Sequence, residues 1–135
     1  AFFCLRQVPA EVVLKAYDWA IEQREKGVCV ISGFHSKIEK DVFHYLLKGI
    51  QPIILVHARG LKKREDKNLL KEADKGRLLI VSPFEDMVTR ISKETSNNRN
   101  EFMIELADEV VVGFAKSNGV IAQSIENSNK KAKLL

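Results

Sequence analysis

Short apolar runs, often β-branched, alternate along this chain with segments whose apolar side chains recur at helical spacing. Ala1 to Leu5 reads as a strand, and Glu11 to Lys26 as a helix with Val12, Val13, Ala16, Tyr17, Ala20 and Ile21 on one stripe. Pro9 suits the start of that helix and Gly27 its end, because proline is tolerated in a first turn and glycine accepts a left-handed stop. Val28 to Ile31 is a second strand ending at Ser32-Gly33; Ser36 is then placed to cap a helix from Lys37 to Lys48, closed by Gly49. Gln51 to Val56 is a third strand, Asn68 to Ala73 a short helix, and Arg77 to Val81 a fourth strand stopped by Ser82-Pro83. The pattern predicts a helix through Met87 to Ser92, a polar turn, and a helix from Asn100 to Ala107. A fifth strand from Glu109 to Phe114, a helix from Val120 to Glu126 and a sixth strand beginning at Lys133 complete it.

Strands apolar on both faces, each separated by a helix, imply a parallel sheet covered on both sides. Right-handed crossovers wind such a sheet doubly. The expected fold is a three-layer, Rossmann-like α/β domain over residues 1–135, with one mostly parallel sheet of about five to six strands. A chain of 135 residues, 45% hydrophobic and 30% charged, is long enough for one core and is globular rather than fibrous or disordered. No apolar run approaches the roughly 18–20 residues of a bilayer span, so no membrane partner is expected. No secretory leader pattern is visible, which predicts a cytoplasmic protein. Cys4 and Cys29 lie in strand-like runs and are expected as buried, reduced thiols.

The formal charge of +4 favours an anionic partner. Basic side chains gather after the third strand, at Arg59, Lys62, Lys63, Arg64 and Lys67, although mixed charge runs of this kind commonly form a solvated helix face. In an open parallel sheet, ligands bind beyond the carboxyl ends of the strands. Those ends carry Leu5-Arg6-Gln7, Ser32-Gly33-Phe34-His35-Ser36, His57-Ala58-Arg59-Gly60 and Lys116-Ser117-Asn118-Gly119. Each loop leads towards a helix N-terminus, whose free N–H groups and positive dipole end attract anions. Arg6, Gly33, His35, Ser36, Arg59, Arg99, Lys116, Ser117 and Gly119 are therefore the candidate phosphate-binding residues, expected around one electropositive hollow. Gly33 answers equally to a turn that needs a positive φ, and Ser36 to an N-cap. Phe34 and Phe114 are the aromatics placed to stack on a base.

His35, His44 and His57 lack ligand spacing and no HxxxH or CxxC pair occurs, so no metal is expected. The absence of GxGxxG, GxxxxGK[ST] and GxSxG argues against a dinucleotide dehydrogenase, a P-loop NTPase and a nucleophile elbow. Glu101 and Glu105 share a helical face, but at a spacing usual for solvent-facing carboxylates. The expectation is a binding protein without a cofactor rather than an enzyme.

The run from Gly27 to Gly49, GVCVISGFHSKIEKDVFHYLLKG, resembles the signature of the DNA-processing protein A (DprA) family: a strand ending in Ser-Gly, a short loop, then a helix. Arg99-Asn100-Glu101-Phe102 followed by ELADEVVVGFA is similar to the family's Arg-Asn-Arg-Ile and the apolar strand after it. Cys4-Leu5-Arg6 stands where the family has Gly-Ser-Arg, and Lys116-Ser117-Asn118-Gly119 where it has a Ser-Gly-Ser/Thr loop. The family's Gly-Ile-Asp is replaced by Ser36-Lys37-Ile38-Glu39, and its Gly-x-Gly-Leu-Asp by His57-Ala58-Arg59-Gly60-Leu61. No counterpart of the family's N-terminal helical domain or C-terminal winged helix is present in these residues, so the resemblance is to a divergent, stand-alone Rossmann-like domain. It implies a bacterial protein that binds single-stranded DNA without catalysis in DNA transformation, with Arg6, Ser32, Gly33, Arg99, Asn100 and Ser117 as carried-over contacts. The implied partners are single-stranded DNA or a nucleotide, a RecA-type recombinase, and a second copy of the chain.

A second reading stays open: a small-nucleotide sensor or hydrolase of the lysine-decarboxylase-like superfamily, whose Pro-Gly-Gly-x-Gly-Thr-x-x-Glu motif is absent here. A subunit whose ligand site has decayed is the third, since glycines of the family's loops are lost.

Overall fold

The computed structural model describes residues 1–135. The alternation is realised as β1 (Phe2–Cys4), α1 (Ala10–Glu25), β2 (Val30–Ser32), α2 (Lys37–Leu47), β3 (Ile53–Val56), α3 (Lys67–Asp74), β4 (Leu78–Val81), α4 (Lys93–Leu106), β5 (Val110–Phe114), α5 (Val120–Asn127) and β6 (Ala132–Leu134). Helix ends follow local chemistry. After α1, Gly27 takes φ 70°, its N–H donates to the carbonyl of Arg24, and the N–H of Val28 donates to that of Gln23. This is a left-handed stop of the kind glycine permits. Asp66 accepts from the N–H groups of Asn68 and Leu69 to start α3.

One expected helix does not form. Residues 87–92 are irregular, with Met87 exposed, and α4 starts at Lys93 rather than Asn100. The reason is local: Ser92 accepts from the Thr95 N–H while the Thr95 side chain accepts from the Ser92 N–H, a reciprocal cap. The polar stretch after Ser92 is thus the solvent-facing opening of α4. Its buried residues, Asn100, Met103 and Ile104, come only later.

All strand pairs are parallel. They do not make the single sheet expected. Two three-stranded sheets form, β1-β5-β6 and β2-β3-β4. β1 and β2 run side by side, joined by side chains where a ladder would run. The Ser32 hydroxyl donates to the Phe2 carbonyl at 2.9 Å, and the Cys4 N–H donates to Glu39 Oε1 at 3.0 Å. Glu39 is a polar side chain wedged at the top of this seam, almost wholly buried.

Helices cover both faces. Phe2, Cys4, Val30, Ile53, Leu55 and Val111 point to a core shared with Ala16, Trp19 and Ala20 of α1 and Ile38, Val42 and Leu46 of α2. The alternate strand residues, Phe3, Ile31, Val56, Val110 and Val112, point to a second core with Met103 and Ile104 of α4 and Ile125 of α5. This is the period-two alternation of a sheet buried on both sides. Trp19 stacks on Phe2 with ring centroids 4.7 Å apart. Cys4 is buried as expected, but Cys29 is exposed, because β2 begins only at Val30.

Candidate functional site

Parallel strands bring the exits of β1, β2, β3 and β5 to one edge of the molecule, and the N–H of Leu5 donates to the Phe114 carbonyl at 3.0 Å there. At the β2 exit the chain turns through Gly33, Phe34 and His35 into α2. The left-handed residue of that turn is Phe34, at φ 45°, and not Gly33. Gly33 makes room for another group: a Cβ there would lie 2.1 Å from Nη1 and 2.5 Å from Cζ of Arg99. The Arg99 guanidinium, carried in from α4, lies directly on the glycine backbone.

Arg6, from the β1 exit, reaches the same turn. Its Nη2 is 2.8 Å from Nε2 of His35. Neither Arg6 nor Arg99 is within ion-pair distance of a carboxylate. Arg99 is held by its neighbour, donating from Nε and Nη2 to Asn100 Oδ1 at 3.3 and 3.2 Å. Burial lowers the Arg99 pKa from its usual value while the Glu39 charge opposes that shift, and the guanidinium remains a cation at neutral pH. Such a cation, desolvated and with no carboxylate within ion-pair distance, is able to hold an anion.

The cluster stands on Glu39, which the sequence pattern offered only as the end of a Ser-x-x-Glu cap. Ser36 Oγ accepts from the Glu39 N–H, and Glu39 Oε2 accepts from the N–H groups of Ser36 at 3.1 Å and His35 at 2.7 Å. Because Oε1 takes the Cys4 N–H, one carboxylate fixes the ends of both β1 and β2. The Ser36 hydroxyl is committed to capping. That of Ser32 lies wholly buried in the seam, between the Phe2 carbonyl and the Phe34 N–H.

The structure therefore brings together Arg6, Gly33, His35, Arg99 and Asn100. Lys116 and Ser117 are exposed on the same edge, in a turn where the Gly119 N–H donates to the Lys116 carbonyl at 2.9 Å, but they make no hydrogen bond to the cluster. Arg59 belongs to a loop clamped from beside: Ser82 Oγ donates to the Arg59 carbonyl at 2.6 Å, and the Gly60 N–H donates to Val88 O at 2.7 Å. Arg59 Nε is buried without a hydrogen-bond partner. His57 is taken up internally, with Nε2 2.7 Å from Glu65 Oε2.

One expectation needs correction. Phe34 is 5% exposed and packs on Phe43 with ring centroids 4.5 Å apart, so it offers no face to a base, while Phe114 is half-buried against the same core. Hollows of about 400 and 440 Å³ open at the amino ends of the strands, around Trp19, Cys29 and Asp108 and around Val110 and Lys131. The arginine cluster lies at the opposite edge, where the strands exit.

No protein-family model matches the sequence, and no curated protein matches it. Two solved structures share the fold. A DNA processing protein A from Helicobacter pylori, described for its single-stranded DNA binding mode, superposes with a TM-score of 0.75 at 17% identity over 98% of this chain. The DNA processing protein A of Streptococcus pneumoniae superposes with a TM-score of 0.71 at 18% identity, also over 98% of this chain. The chain spans 62% of the first structure and 48% of the second. Its fold is the Rossmann-like fold of those proteins.

Proposed function

We propose that residues 1–135 form one domain that binds single-stranded DNA along the strand-end edge without turning it over. The observation that carries this reading is the convergence of Arg6 and Arg99, both without a carboxylate partner, on the Gly33–His35 turn. Backbone phosphate is the group that such paired guanidiniums recognise. The exposed Lys116 on one side, and Lys62, Lys63 and Arg64 on the other, extend positive charge beyond the cluster. The shared fold with a protein described for single-stranded DNA binding supports the same reading. With Phe34 packed inward and Phe114 half-buried, base stacking contributes little, and recognition rests on phosphate, without sequence preference.

This reading sets the protein in the cytoplasm, where single-stranded DNA would be its ligand. A RecA-type recombinase and a second copy of the chain are partner proposals carried by the sequence resemblance alone.

Fluorescence anisotropy with labelled oligo-dT at two salt concentrations tests the reading. Binding is expected to weaken steeply with salt, and Arg6→Ala or Arg99→Ala each to cost about tenfold in affinity, roughly 1.4 kcal/mol. Absence of binding at low salt, or full affinity in both variants, refutes it. The compactness of the cluster favours one competing ligand, a mononucleotide bound through a single phosphate. A thermal shift of several degrees with a mononucleotide and none with oligo-dT decides for that ligand.

A further inference from the structure

The contact between Arg6 and His35 fixes a protonation state. A guanidinium has N–H donors and no acceptor, so at 2.8 Å from Arg6 Nη2 the His35 Nε2 must carry a bare lone pair. A proton on that nitrogen would set N–H against N–H and one cation against another. The Arg6 contact and a charged His35 exclude each other.

The groups facing His35 come from three elements. Arg6 approaches from the β1 exit and Arg99 from α4, while α2 supplies Lys40 and the carboxylate of Glu39. Glu39 is spent on backbone N–H groups, including that of His35 itself. Partial burial, then Arg99, then Arg6, lower the His35 pKa from its usual 6.5, against the pull of Glu39. A phosphate placed between the arginines reverses the sign of the local field and leaves His35 a partner for a second N–H.

We propose, resting on the anion-binding reading above, that His35 couples ligand binding to proton uptake: neutral and holding Arg6 in the free protein, protonated and donating to the bound phosphate in the complex. Free Arg6 then turns to the ligand as well. By linkage, a site that takes up a proton on binding grips more tightly as pH falls, by up to about tenfold per pH unit between the free and bound pKa values. Above that window the affinity is flat, since His35 is neutral in both states.

The test uses oligo-dT, whose internal phosphodiesters do not titrate between pH 6 and pH 8. Its affinity for the wild-type protein is expected to rise about three- to tenfold from pH 8 to pH 6. In His35→Gln that rise is expected to vanish, whatever the affinity at pH 8, and in His57→Gln to persist. In the wild-type protein the His35 ring resonances, followed by NMR, are expected to titrate at higher pH with oligo-dT present than without. A flat affinity, an undiminished rise in His35→Gln, or an unmoved ring titration overturns the coupling and leaves the binding reading standing. Absence of oligo-dT binding at every pH overturns both.

Discussion

Gly33 lacks a side chain because Arg99 occupies the place a Cβ would take. Gly33→Ala is therefore expected to displace the guanidinium from the turn. Since φ at this position is not left-handed, alanine fits the backbone itself, and the effect should fall on binding. The expected loss in oligo-dT affinity is about tenfold, about 1.4 kcal/mol, with a shift in Tm of only a few degrees; anisotropy and a thermal melt measure the two. Arg6 and Gly33 were legible in the sequence by position, at strand ends, and Arg99 through its Arg99-Asn100 match to the family's motif. The reason for Gly33 was not, because the contact joins α4 to the β2 exit and no local pattern encodes such an approach. Local propensity offered Gly33 as one candidate for a left-handed residue, but that conformation falls on Phe34, which packs on Phe43. Glu39 was visible only as a helix cap, since its bond to the Cys4 N–H crosses from α2 to β1.

The loop between β3 and α3 shows how an element can hold an acid inside a basic run. Glu65, among Lys62, Lys63, Arg64 and Lys67, turns inward, its side chain 7% exposed, to meet His57. Burial opposes its ionisation. The hydrogen bonds from His57 and the Asp66 N–H, with the charges of His57 and Lys62, outweigh burial and hold the carboxyl below its ordinary 4.5. A carboxyl depressed in the fold contributes stability that is complete above its unfolded value and lost as pH falls through the folded one. Urea denaturation is expected to show this part of the stability disappearing below about pH 4.5, and to show it missing in Glu65→Gln. A stability profile identical in wild type and variant between pH 3 and pH 7 contradicts the role. At this scale the sequence was legible for most strands and helices, whose apolar runs and caps are local. It misled at residues 87–98, where a reciprocal cap at Ser92 and Thr95 starts a helix that the apolar pattern signals only from Asn100 onward.

Over the whole molecule, the apolar alternation told which face each strand residue would take but not whether every neighbouring strand pair would close a ladder. Between β1 and β2 it does not, and Ser32 and Glu39 supply the hydrogen bonds. Ser32→Ala leaves the buried Phe2 carbonyl and Phe34 N–H without the hydroxyl, and is expected to cost about 1–3 kcal/mol. Amide hydrogen exchange is expected to accelerate first at residues along the seam; uniform acceleration across both sheets would show that the hydroxyl is no local fastening. Arg6 stands on one bank of this fault line and His35 on the other. Any anion gripped by both is a rivet driven through the middle of the protein, so occupancy at the rim stiffens the molecule where it is least knitted together.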